Sequence, residues 1–245
     1  MKLLPWQHIM DVIIVDAKYL KVLKKAFLFA GINGQECDRL IKCLDPNIKR
    51  FSKHEILIHT GDYIYQIGVV LTGSASAYLE HADGSQTIIS SLSSKSVFGE
   101  ILVSTRQHKS PVTVYATSDI VAAYIDYQQL FSMCASACTA HRIFLQNLLK
   151  AIGDKYFRMF DRITILQERS LRDKILAYLH ALQDEKDTKT VTIPFTKTML
   201  ASYLLANRCA LTKELRKLQD EGIISVNGRE VELHQRMYSK RPNND

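Results

Sequence analysis

Residues 196–224, TKTMLASYLLANRCALTKELRKLQDEGII, read as two short helices joined by a tight turn. Over Lys197–Leu204 the apolar residues Met199, Leu200, Tyr203 and Leu204 recur at helical spacing, and Ala201 is small enough to let another helix approach closely. Asn207 can cap a second helix, in which Leu211, Leu215 and Leu218 line one side. Arg208, Cys209, Thr212, Lys213 and Arg216 then fall on the other side. That outer side mixes phosphate-seeking charge with short groups that can touch base edges, the composition a recognition helix needs in the major groove. An ordinary helical hairpin with a solvated basic face would carry the same pattern, so these residues alone leave the two readings level.

The residues that follow tip the balance. Gly222-Ile223-Ile224-Ser225-Val226 runs into Asn227-Gly228 and then Arg229-Glu230-Val231-Glu232-Leu233, two alternating runs about a turn dipeptide. A hairpin placed directly after a recognition helix makes a winged helix, and the chain is expected to bind double-stranded DNA. The charge is consistent with this: 32 Lys and Arg stand against 25 Asp and Glu, a formal +7. Residues 1–136 are nearly balanced, with 13 basic and 12 acidic side chains, and most of the excess lies further along.

Upstream the pattern changes to period two. Ile67–Leu71, Ala75–Leu79, Thr87–Ser91, Val112–Ala116 and Val121–Ile125 alternate between Gly61-Asp62, Gly73, Asp83-Gly84 and Gly99, which predicts an antiparallel β-roll able to enclose a small ligand. Gln35–Leu44 reads as a short helix before it. A long helix over about Ala140–Gln167 joins the two halves, on the order of 40 Å at ~1.5 Å per residue. Its Leu145, Leu148, Ile152, Tyr156, Met159, Ile163 and Leu166 step by three and four, a seam that wants a partner helix and predicts a homodimer. The expected fold class is therefore α+β. Its organisation is an N-terminal segment and roll over 1–136, a dimerisation helix over 137–169, a winged helix-turn-helix over 170–235 and a tail over 236–245. Ser170, between the seam and the new apolar pattern of Leu171–Leu182, is the candidate hinge, because Ser is a good N-cap.

Other classes find little support. No apolar run is long enough to span a bilayer, and Asp11 and Asp16 interrupt the one N-terminal apolar stretch, so a cytoplasmic location without membrane contact is expected. Five cysteines, an odd number without framework spacing, suit a reducing compartment. Cys134, Cys138 and His141 share a face if that segment is helical, although small buried hydrophobes are the better reading of the two thiols. Glu100 has no paired base, and there is no Ser, His and Asp set or phosphate loop, so no catalytic residues are assigned.

The order of roll, long helix and winged helix resembles the cAMP receptor protein/FNR family of bacterial transcription regulators. The resemblance is carried by Gly61-Asp62, Leu71-Thr72-Gly73, Asp83-Gly84, Phe98-Gly99-Glu100 and Ser110-Pro111-Val112 in the roll. In the reader it is carried by Asn207-Arg208 through Leu215-Arg216-Lys217-Leu218 and by Gly222-Ile223-Ile224. It implies a homodimer on a palindromic operator, RNA polymerase as a partner, and an effector held between roll and long helix by Phe98, Gly99, Glu100, Ile101, Ser110, Pro111, Met159 and Phe160. It also implies what is missing. The Arg that pairs with the cyclic phosphate is replaced by Ser110, with Arg106 and Lys109 as nearby cations, and the hydroxyls that meet adenine fall on Met159 and Phe160. cAMP is therefore disfavoured as effector.

The iron–sulfur branch needs clustered N-terminal cysteines that this chain lacks, and a haem would have to use His54, His59, His81 or His108. Cys209 stands where many relatives carry Glu, implying a different operator. Leu205 replaces the Gly of the helix–helix turn, implying strain or another turn. A roll of this type can also act on protein partners instead of DNA, and a salt-dependent gel shift separates the two.

Overall fold

The computed structural model describes residues 17–131, 139–186 and 190–234. In chain order these form α1 (Ala17–Leu23), a 3-10 turn (Phe27–Phe29), α2 (Gly34–Leu44), β1 (Asn47–Phe51), β2 (Ile56–Ile58), β3 (Gln66–Thr72), β4 (Ala75–Glu80), β5 (Gln86–Leu92) and β6 (Val97–Phe98). The roll continues with the short α3 (Glu100–Val103), β7 (Thr113–Ala116) and β8 (Ile120–Asp126), and α4 (Tyr127–Phe131) leads out of it. Then come α5 (Thr139–Gln167), α6 (Leu171–Lys186), β9 (Thr190–Thr192), α7 (Lys197–Tyr203), α8 (Arg208–Asp220), β10 (Ile224–Asn227) and β11 (Glu230–Leu233).

Two antiparallel four-stranded sheets, in the orders β1-β8-β3-β6 and β2-β7-β4-β5, make the roll. Alternation along β3 shows how one strand serves two layers. Val70 joins Ile58, Val114, Phe98 and Tyr124 between the sheets, while Ile67, Val69 and Leu71 face α2 and the first half of α5. Because both faces of β3 are covered, its sequence is a nearly continuous apolar run. Gly68, on the inner face, leaves room for the Phe98 ring: a Cβ there would stand 2.0 Å from its Cζ. Phe98 in turn meets the Tyr124 ring edge-on at 5.6 Å.

The five anticipated strands are all present, but β1 was not expected. Asn47–Phe51 buries only Ile48 fully, so alternation is too faint to announce a strand. Pairing with β8, from Asn47 opposite Tyr124 to Phe51 opposite Ile120, sets its conformation instead. β9 was also missed, being three residues long; it pairs with β11 and makes the wing three-stranded.

The wing turn sits one residue further along than expected. Asn227 still pairs with Glu230, and Gly228, at φ 63°, and Arg229 form the loop.

Helix α5 corrects the predicted seam. Leu148 is buried in the roll-side core with Phe144, and Leu145 and Ile152 pack against that core, so the N-terminal half of the stripe is satisfied within its own chain. In the C-terminal half, Tyr156, Met159 and Ile163 of the expected seam are exposed together with Phe157 and Phe160, and Leu149 is exposed further back. Among the described residues, no helix is long and apolar enough to cross a membrane.

The turn between α7 and α8 places Leu205 at φ 51°, the left-handed conformation that Gly would adopt freely, with the side chain 59% exposed. A non-glycine residue held there costs ~1–3 kcal/mol, part of which returns on removing Cβ despite the greater entropy of an unfolded Gly. Leu205→Gly is therefore expected to raise stability by about 1 kcal/mol in urea denaturation. A loss of that size would mean that the Leu205 side chain packs more than its exposure shows.

Candidate nucleic-acid interface and effector site

Both helices of the reading head begin with side-chain caps. Thr196 Oγ1 accepts from the Met199 N–H, and Asn207 Oδ1 accepts from the N–H groups of Cys209 and Ala210. Leu211, Leu215 and Leu218 of α8 are buried against Leu200, Ala201, Leu204, Ile224 and Val231. This burial turns Arg208, Cys209, Thr212, Lys213 and Arg216 outward, and all five are exposed. Among the described residues, Arg208, Lys213 and Arg216 have no ion-pair partner, so their charge is available to phosphate or base. The Thr212 hydroxyl donates to the Arg208 carbonyl.

Glu214 of the same helix and Glu221 just beyond it are drawn aside, and Asp220 is exposed in its last turn. Glu221 is held by both terminal nitrogens of Arg172 on α6, and Glu214 lies 3.6 Å from Arg172 and from Lys217. The hydrogen bond from Arg172 holds the Glu221 carboxyl below its usual range. The outward face is left basic.

In the roll, Gly99 takes φ 81° to turn β6 into α3, and a Cβ there would lie 2.7 Å from the Gln66 carbonyl oxygen. The turn drives Glu100 inward, where its side chain is 1% exposed. Lys155 of α5 reaches it: Nζ pairs with Glu100 Oε1 and donates to the Val97 carbonyl at 2.7 Å. Glu100 Oε2 has no hydrogen-bond partner among the described residues. Phe98, Gly99 and Glu100 thus come together with a lysine that the sequence reading did not single out.

The other candidate pocket residues lie differently. Ile101 points outward at 43% exposure, and Pro111 is exposed. Ser110 is buried, and its hydroxyl donates to the Val112 carbonyl and accepts from the Val112 N–H. Met159 and Phe160 are exposed on the C-terminal half of α5, at 58% and 50%; Met159 stands one turn beyond Lys155 on the same side of the helix, and Phe160 stands off that side. Arg106 and Lys109 are exposed. Around this turn, then, the Glu100 carboxylate is paired with Lys155, the Ser110 hydroxyl is engaged with its own turn, and neither Arg106 nor Lys109 is buried.

The roll histidines occupy separate turns. His59 Nδ1 lies 2.7 Å from the Thr60 carbonyl oxygen, His81 Nε2 lies 2.8 Å from Thr87 Oγ1, and the His108 ring packs tilted against Tyr65 and edge-on to Tyr127. Cys134 and Cys138 fall outside the described residues. His141 is half-buried, and burial lowers its imidazole pKa. Among the described residues, no three His, Cys, Asp or Glu side chains are placed to hold a metal ion.

Ser170 lies between α5 and α6 and caps the latter. Its Oγ accepts from the Asp173 N–H at 3.0 Å and donates to Asp173 Oδ2 at 2.6 Å. Ser170→Ala is expected to destabilise the reading head by ~1 kcal/mol, measured by urea denaturation. If Ser170 is also the hinge, as we propose, operator affinity shifts with it; unchanged affinity alongside the stability loss would leave only a cap.

A junction unforeseen from the sequence joins roll and head. Ile88 of β5 is fully buried in the core of the reading head, and its N–H donates to Ser202 Oγ of α7 at 3.3 Å. From α5, Arg162 Nη2 donates to the Tyr203 carbonyl at 3.2 Å, with the guanidinium 4.3 Å from the Tyr203 ring centroid. In sequence, Ile88 is one more inward residue of an alternating strand, and Arg162 one more charge on a long helix.

Comparison with known proteins agrees with this architecture. The family model for the cyclic nucleotide-binding domain matches residues 48–137, and that for the Crp-like helix-turn-helix domain matches residues 173–238. The search of curated proteins finds no match. Among solved structures, the c-di-GMP responsive global regulator CLP of Xanthomonas campestris is 20% identical, with a TM-score of 0.61 over 81% of this chain and 100% of its own. A CooA mutant from Carboxydothermus hydrogenoformans is 18% identical, with a TM-score of 0.64 over 79% of this chain and 86% of its own. FixK2 from Bradyrhizobium japonicum is 16% identical, with a TM-score of 0.59 over 78% and 93%. At these identities the likeness is one of fold, and the family rests on the two domain models occurring in this order on one chain, where together they take in more than half of it. With its roll, long helix and winged reading head, the chain belongs to the Crp/Fnr family of transcription regulators.

Proposed function

We propose that the protein is a homodimer that binds a two-fold symmetric operator through α8, with an effector response that does not use cAMP. The observation that carries DNA reading is the outward face of α8, where Arg208, Lys213 and Arg216 lack ion-pair partners among the described residues while Glu214 and Glu221 are held by Arg172. Pairing through α5 is supported by its exposed apolar face, since a stripe from Leu149 to Ile163 left in water favours association. The symmetry of such a dimer would place two copies of α8 on two half-sites. RNA polymerase is the protein partner this reading implies.

A gel shift at increasing salt tests it. Binding whose logarithm falls linearly with the logarithm of salt concentration supports phosphate contact by α8. No shift at low salt would favour a module acting through protein partners.

The effector reading has its own test. Calorimetry with cAMP is expected to show no tight site, since Ser110 offers no cation and Glu100 is already paired. A submicromolar dissociation constant would overturn it.

A further inference from the structure

Helix α5 carries Lys155 and Arg162 seven residues apart, two turns, which places both on one side of the helix. One is anchored in the roll and the other in the reading head: Lys155 pairs with Glu100 and the Val97 carbonyl, and Arg162 holds the Tyr203 carbonyl at the end of α7. Roll and head also meet directly where Ile88 enters the head core and bonds to Ser202. The three contacts close a ring in which roll, helix and head each touch the other two.

Glu100 is the part of this ring that demands a counter-charge. Its side chain is 1% exposed, and an ionised carboxylate at that depth is costly without a cation and hydrogen bonds. Lys155 supplies the cation from within the chain. A tethered ammonium competes with free ligands at an effective concentration on the order of millimolar, without the entropy loss of a bimolecular encounter. Its own side chain is 27% exposed, with a carbonyl acceptor to direct it.

We propose that Lys155 is a built-in substitute for a diffusible effector: its ammonium occupies the Glu100 subsite and keeps α5, and with it the reading head, in the DNA-binding arrangement without any small molecule. This rests on the reading that the head binds DNA through α8, and it puts a group of the chain itself in the place of the small-molecule effector named there.

The test uses the full chain, unfolded in guanidinium and refolded to remove small molecules, and a duplex selected from a random pool by the unstripped protein. Stripped and unstripped wild type are expected to bind that duplex equally. Lys155→Met and Glu100→Gln should each weaken binding on the order of tenfold, and the double variant should be no weaker than either, because the pair acts as one unit. Amide exchange over residues 202–206 should quicken by a similar factor in both single variants.

Loss of binding on stripping, restored by cAMP, cGMP, c-di-GMP or a small-molecule extract, would overturn the proposal. So would Lys155→Met that leaves both binding and exchange unchanged. If no duplex is enriched, it is DNA reading that fails, and the exchange measurement alone decides the tether: unchanged exchange in Lys155→Met rejects it.

Discussion

Met159→Asp combined with Phe160→Asp is expected to yield a folded monomer whose operator affinity is lower by roughly a hundredfold or more, since two linked half-site contacts become independent ones. Both side chains are at least half exposed in a single chain, at 58% and 50%, so the charges cost the monomer little. In the proposed dimer they would be buried without partners, which is expensive. Sedimentation at micromolar concentration reads the outcome, and a double variant that stays dimeric would remove this face from the interface. Ile152→Asp is the informative contrast. Ile152 packs against its own roll-side core, so a charge there should lower the folding stability of each chain as well as disturb association.

Arg208→Ala and Arg216→Ala should weaken DNA binding in different ways, although both side chains are exposed on α8. Arg208 opens the helix, just after the Asn207 cap, where a guanidinium can bond bidentately to guanine O6 and N7. Losing it should cost ~1–3 kcal/mol on the selected site and relax the preference at one base pair per half-site. Arg216 stands two turns later, where the helix rises towards the backbone. Its loss should weaken selected and scrambled duplexes alike and reduce the salt slope by about one unit per subunit. Parallel salt titrations on both duplexes separate the roles. Equal losses for Arg208→Ala would place it on phosphate and require a different docking of α8.

The elements whose residues announce their own periodicity were legible in the sequence. The steps of three and four over Ala140–Gln167 gave the long helix to within one residue of its start, and Asn207 gave the cap of α8 because an Asx side chain before an apolar period has a specific bonding role. The strained turn was legible as well: a Leu where this architecture usually has Gly does adopt a positive φ.

Hidden were properties that only tertiary contact decides. Nothing local distinguishes Lys155 from the exposed Lys150 and Arg158 on the same helix, and its value comes from Glu100, 55 positions earlier in the chain. The division of the seam was hidden too, since periodicity alone does not say which turns of a helix its own chain covers. The roll takes the N-terminal turns, with Leu148 and Phe144, before any partner is met. The exposure of Met159 and Phe160 was hidden as well, because a motif places residues along a helix without setting what covers them.

The seating of Ile88 also sets an energy scale for regulation. Swinging the head away from the roll would return to water a side chain now fully buried. Fully burying an isoleucine contributes ~1.5–3 kcal/mol, which corresponds to a population ratio of roughly 10 to 150 in favour of the seated head. Any ligand, modification or partner that unseats the head must therefore prefer the open form by at least that ratio, and one that binds both forms equally shifts nothing, however tightly it binds. Shortening Ile88 to Val or Ala would lower this threshold stepwise without touching the groove-facing residues, tuning how much differential affinity a signal must supply.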